Sequence, residues 1–241
     1  MVPTTAPAVH RAYCEHFGHL HFDEFERAYT RSSAQVTDFC RSESKEIRNQ
    51  ERMRALLRVL GHRADEAPAE VLESLTGAHL DQLAQSFEVL PETIDFVAWA
   101  ARYFRLALIS NFDHSPALFD ALDRFGIGTP FEAVVVSDDV GWRMPHRIIF
   151  ERALGRLGIE PEEALFIGDR LYPDVYGAIN SRLDSVWIAN EQQDSRSLGF
   201  PAPTYKVGSL LEVVPLLDKG AQRGQHAVPQ HQRRHRAVSC H

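Results

Sequence analysis

Ala164-Leu165-Phe166-Ile167-Gly168-Asp169-Arg170-Leu171-Tyr172-Pro173-Asp174 is the stretch from which the rest of the chain is read. Four apolar residues run without a break into Gly-Asp, and helix-compatible Val175-Tyr176-Gly177-Ala178 follows. An uninterrupted apolar run bounded by turn residues marks a strand buried on both faces. Leu106–Ile109, Ala133–Val136 and Ser185–Ile188 have the same character. The segments between them carry helix punctuation: Ser115-Pro116 opens one helix and Gly126 closes it, and Pro145 opens the next, which Gly158 closes. Strands alternating with helices of about 10–15 residues predict βαβ units, hence a parallel Rossmann-like α/β core. Such a sheet gathers its chemistry in the loops at the carboxyl ends of the strands. Here those loops begin at Ser110, Ser137, Gly168 and Ala189.

Two of the loops carry residues suited to a phosphorylated ligand. Asp169 and Asp174, five residues apart across a strand-to-helix turn, supply the hard oxygens that Mg²⁺ takes alongside substrate phosphate and water. The same two residues also serve as a turn former and a helix N-cap, so the loop alone leaves both readings open. Ser110 and Asn111 offer an anion a hydroxyl and an amide without adding charge, though both are common turn residues as well.

Upstream of this core the period changes. Phe22, Phe25 and Tyr29, and then Met53, Leu56, Leu57 and Leu60, recur at helical spacing. Residues 1–90 are therefore expected to be a helical subdomain, 91–217 the α/β core, and 218–241 a disordered basic tail. The tail holds Lys219, Arg223, Arg233, Arg234 and Arg236. Residues 219–241 hold these five basic residues and no acidic one, so the rest of the chain has 21 basic against 33 acidic residues, a balance that argues against nucleic acid as a partner of the folded part. Rich in Gln and His and without an apolar period, the tail reads as dispensable for stability. With 44 % apolar and 24 % charged residues the 241-residue chain has a globular composition. No apolar run approaches the roughly 20 residues that span a bilayer. Cys14, Cys40 and Cys240, odd in number and widely spaced, fit a reducing cytoplasmic compartment. The basic run Arg41, Lys45, Arg48, Arg52 and Arg54 is interleaved with Glu43, Glu46 and Glu51, the mixture of a solvated helix face.

Taken together, a strand ending in Ser110, Gly141-Trp142-Arg143-Met144-Pro145 before a helix, and Gly168-Asp169 with Asp174 resemble the haloacid dehalogenase-like superfamily. The closest likeness is to its phosphatase-type members with a helical cap near the N-terminus. The resemblance covers roughly Ala8 to Leu217. It implies that Ser110, with Asn111 beside it, binds the phosphoryl group, that Asp169 and Asp174 position Mg²⁺, and that the helical stretch before Leu90 is a substrate-selecting cap. The expected activity is hydrolysis of a small phosphorylated metabolite through an aspartyl-phosphate. Its partners would be small molecules, with neither nucleic acid nor membrane involved.

The chain departs from that family at three places. The family's first motif, an Asp-x-Asp on an N-terminal strand that supplies nucleophile and acid/base, has no counterpart before the first helix. The family's Lys before Pro145 is Met144, whose thioether brings no charge, and the adjacent Arg143 normally points elsewhere. Arg182 stands where the family commonly has Gly; a left-handed backbone there costs a non-Gly residue about 1 kcal/mol. These departures imply a chain truncated at its N-terminus and inactive as given, with a gap of about two strand spacings, ~10 Å, between the strands ending at Ile109 and Ile167. The alternative is a non-catalytic binding or regulatory protein on the same fold. A dehalogenase fits the Gly168-Asp169 loop less well, and no dinucleotide fingerprint or P-loop occurs.

Overall fold

The computed structural model describes residues 5–189, 199, 201–224 and 237–240, and of 219–224 and 237–240 it describes the main chain alone. The chain forms two units, one of residues 1–88 with 112–121 and one of residues 89–111 with 122–241.

The helical unit holds α1 (Ala6–Phe17), α2 (Phe22–Glu43), α3 (Asn49–Val59) and α4 (Ala69–Gln85). Val9, Phe25, Leu56, Leu57, Leu72 and Leu75 meet in one core, so the helical spacing seen in the sequence is the buried stripe of each helix. The expected boundary at residue 90 needs one correction, because residues 112–121 belong with these helices. Asn49 Nδ2 donates to the Asp113 carbonyl at 3.0 Å, the Asp113 carboxylate pairs with Arg52, and the Phe87 and Phe112 rings lie 5.4 Å apart. Arg52 also meets Glu46 at 3.5 Å, and Arg54 pairs with Glu51 at 2.8 Å. These two members of the basic run are thus committed to nearby carboxylates.

The second unit is built on a parallel six-stranded sheet ordered β2-β1-β6-β3-β4-β5. Its strands are β1 (Arg105–Ser110), β2 (Phe131–Val136), β3 (Ala164–Gly168), β4 (Asp184–Ile188), β5 (Tyr205–Val207) and β6 (Ala237–Cys240). All four strands read from the sequence are present, each longer by one or two residues. Period-two alternation sorts their side chains into two layers. Ala107, Ile109, Ala164 and Phe166 pack on one face with Ile149, Phe150 and Ala153 of α8 (Arg147–Leu157) and Ala178 of α9 (Tyr176–Asn180). Leu106 and Ile167 face the other way, toward Phe96, Val97 and Ala100 of α5 (Pro91–Ala100) and Val213 and Leu217 of α10 (Val213–Gly224). Both faces are covered, which is why the strands read as unbroken apolar runs.

Three helix starts refine the sequence reading. Helix α6 (Ser115–Arg124) begins at Ser115, with His114 Nδ1 accepting from the Ala117 amide at 3.2 Å. The one-turn α7 spans Ser137–Val140. Helix α8 begins two residues after Pro145, where His146 Nδ1 accepts from the Ile148 amide at 3.3 Å. Gly126 and Gly158 take left-handed conformations after their helices, as expected.

The largest correction concerns the far end of the chain. Ala237–Cys240, read from the sequence as part of a disordered tail, runs parallel between β1 and β3 and occupies the place where a gap was expected. Residues 218–224 likewise belong to α10 rather than to a tail. Residues 225–236 lie outside those described.

Candidate active site

Parallel pairing sets the ends of β1, β2 and β3 side by side, since Ser110 lies level with Val136 across the β1–β2 ladder. The three loops that follow carry the residues singled out in the sequence. Ser110 closes β1 and is half-buried. Asn111 comes next, and its amide bridges to the second loop: Nδ2 donates to the Met144 carbonyl at 3.0 Å and Oδ1 accepts from the Met144 amide at 2.7 Å. Such a two-point bridge fixes one loop against another. One Asn111 N–H is thereby committed to Met144, and its second N–H is the donor that remains for an anion.

Met144 itself points inward. It is 2 % exposed and packs in the core layer with Ile109, Val135, Phe150 and Phe166. Its thioether therefore contributes packing and no charge at this position. Trp142 stacks on His146 with ring centroids 4.0 Å apart, bracing the same loop from its two ends.

The third loop is drawn tight around Asp174. This carboxylate is fully buried, and its Oδ2 accepts the Arg170 amide at 3.2 Å. A Cβ on Gly168 would lie 2.7 Å from Asp174 Cβ and 2.9 Å from Oδ2, so only glycine lets the strand end come this close. Gly177 allows a second close approach, where a Cβ would meet Phe150 at 2.7 Å and the Pro145 Cα at 2.9 Å. Asp169 is exposed at the end of β3, and its carbonyl accepts the Trp187 indole N–H at 3.1 Å. The loop thus holds one carboxylate out and one in. The indole contact, the amide bridge and the Gly177 contact are invisible in the sequence because each joins residues distant along the chain.

The donor set fits a hard divalent cation to the extent that Asp169 offers an accessible carboxylate on a braced backbone, with Asp174 placing a second carboxyl group in the same loop. Among the described residues, no group of three or more His, Cys, Asp and Glu converges as a metal cage.

The helical unit contains its own polar cluster. The Tyr29 hydroxyl lies 2.9 Å from Thr5 Oγ1 and 3.0 Å from His79 Nδ1, within hydrogen-bond reach of both. Burial raises the Tyr29 pKa and lowers that of His79. For His79 the nearby Asp113 works against the shift, while Arg52 and His114 add to it.

A sequence model of the haloacid dehalogenase-like hydrolase family matches residues 2–182. Glyceraldehyde 3-phosphate phosphatase of Pyrococcus furiosus is 49 % identical over 100 residues, which cover 40 % of this chain and 42 % of that protein. The chain therefore spans less than half the length of that relative. Among solved structures, the HAD-hydrolase YfnB from Bacillus subtilis, bound to magnesium, superposes with a TM-score of 0.63 at 22 % identity, covering 89 % of this chain and 91 % of that one. The 2-haloacid dehalogenase from Pseudomonas syringae superposes with a TM-score of 0.65 at 19 % identity, covering 91 % and 92 %. These two likenesses concern the fold alone, and the fold does not choose between chemistries.

Proposed function

The chain belongs to the haloacid dehalogenase-like hydrolase family, and from that premise we propose that it carries the core of a Mg²⁺-dependent phosphatase for a small phosphorylated metabolite, without turnover of its own in these 241 residues. The observation that carries this reading is an accessible Asp169 after β3, with Ser110 and Asn111 at the end of β1, and between these strands a central strand, Ala237–Cys240, that contains no carboxylate. The relatives named as glyceraldehyde 3-phosphate phosphatases support a small phosphate ester as the substrate class. The odd number and wide spacing of Cys14, Cys40 and Cys240 support a reducing, cytoplasmic setting, and the acidic balance of the folded part supports small molecules rather than nucleic acid as partners. No helix among the described residues is long and apolar enough to cross a membrane.

In this reading Ser110 and the second Asn111 N–H donate to phosphoryl oxygens, and the Asn111–Met144 bridge keeps the two loops in register while they do so. Asp169 holds the cation, with Asp174 shaping the loop beneath it. The Mg²⁺, when bound, neutralises the charge that develops on the phosphoryl oxygens. Met144 contributes packing and no charge, so the site stabilises an anion less than a lysine-bearing one would. Attack on phosphorus needs a carboxylate nucleophile, which the central strand Ala237–Cys240 does not supply. The second reading, a non-catalytic binding protein, rests on the same central strand and differs in requiring no nucleophile.

Ligand-induced stabilisation tests the binding half of the proposal. Mg²⁺ with inorganic phosphate is expected to raise the melting temperature by a few degrees, since ligand at 100 times its Kd stabilises by about 2.7 kcal/mol. Asp169→Asn should abolish the Mg²⁺ contribution. An equal rise in the variant would contradict the assignment of Asp169.

A further inference from the structure

β6 reaches the centre of the sheet from the opposite end of the chain. Its four residues lie level with Arg105–Leu108 of β1 on one side and with Ala164–Ile167 of β3 on the other. Beyond this register β1 continues through Ile109 and Ser110, and β3 through Gly168.

Main-chain pairing in a parallel ladder does not depend on which chain supplies the strand. What the place selects is an extended segment, free of proline and running parallel to both neighbours. Ala237-Val238-Ser239-Cys240 meets these terms, carrying neither proline nor charge. Two buried neighbours leave rows of N–H and C=O groups that must be paired, so the place favours being filled over standing open. The segment is delivered on the twelve residues 225–236 that follow Gly224. A stretch of that length extends to about 40 Å, many times the ~5 Å between strands.

We propose that the cleft between β1 and β3 is a strand-acceptor site, filled in this chain by its own C-terminal strand and able to take the same strand from a second copy of the chain. It follows that the chain forms strand-exchanged dimers as its concentration rises. The inference stands whether or not the chain hydrolyses phosphate esters, because it rests on backbone register alone.

Hydrogen exchange on the full chain provides the first test. The amides of Val238, Ser239 and Cys240 should exchange at least 100-fold more slowly than in a free peptide. Exchange at free-peptide rates would overturn the proposal without any variant. Val238→Pro, which removes a ladder donor, is expected to lower the melting temperature and to speed exchange in β1 and β3. The variant should then capture a labelled synthetic peptide of residues Arg236–His241 at one per chain and regain protection. Unchanged melting and exchange in the variant would show that the strand is not seated. A folded variant that ignores the peptide would show that the site takes no strand in trans. Sedimentation of the unmodified chain reads the second-copy claim directly: a dimer fraction that grows with concentration supports it, and a monomer across the range overturns it.

Discussion

Gly168 is where one atom decides the geometry of the candidate site. Its Cβ position is taken by Asp174, so Gly168→Ala must push apart the end of β3 and the buried carboxylate. The expected cost is about 1–3 kcal/mol, typical of overpacking, and denaturant unfolding measures it. The roles of Ser110, Asp169 and Asp174 as loop residues at strand ends were legible because sequence order alone puts them there. Asn111 was legible only in part: its amide holds Met144, a partner 33 residues away that no local pattern announces. At Arg182, where the sequence raised a left-handed backbone only as a condition, the structure has φ of 64°. His79 was not singled out in the sequence, and the structure gives it a consequence for pH. Its pKa is lowered from 6.5 in the folded chain, so just below that pH the unfolded chain binds more protons and gains stability relative to the folded one. Stability should therefore fall as pH is lowered through about 6.5 and level off below the folded pKa. His79→Gln should flatten that part of the melting-temperature profile, whereas an unchanged slope would place the effect on other groups.

At the scale of elements, the strands were legible where local sequence and burial agree. Leu106–Ile109 and Ala164–Ile167 are covered on both faces, and their unbroken apolar runs say so. β5 was missed because Tyr205-Lys206-Val207 is three residues long with two of them exposed. β6 was missed for a deeper reason. Its surroundings are rich in Gln, His and Arg, a composition that reads as solvated chain, while its partners lie some 70 and 130 residues earlier. Non-local pairing leaves no periodic trace in a four-residue stretch. The earlier expectation that the tail is dispensable is accordingly replaced: its last residues complete the sheet, and their loss should lower stability. The same polar clusters that tie 112–121 to the helical unit explain why the boundary near residue 90 was incomplete, since an ion pair between Arg52 and Asp113 is likewise invisible to a local reading.

At the scale of the whole molecule, the account separates binding from turnover. The sheet brings Ser110, Asn111 and Asp169 to the ends of its strands, while its central strand contributes Ala-Val-Ser-Cys. In the proposed reading these residues position and stabilise a phosphoryl group in part, while the central strand offers no carboxylate to attack phosphorus. The direct test is phosphate release from an aryl phosphate by the full chain with saturating Mg²⁺, run alongside Asp169→Ala. The account predicts release at the buffer background for both proteins. Robust hydrolysis by the full chain that Asp169→Ala abolishes would contradict it, because a nucleophile would then be present within these 241 residues.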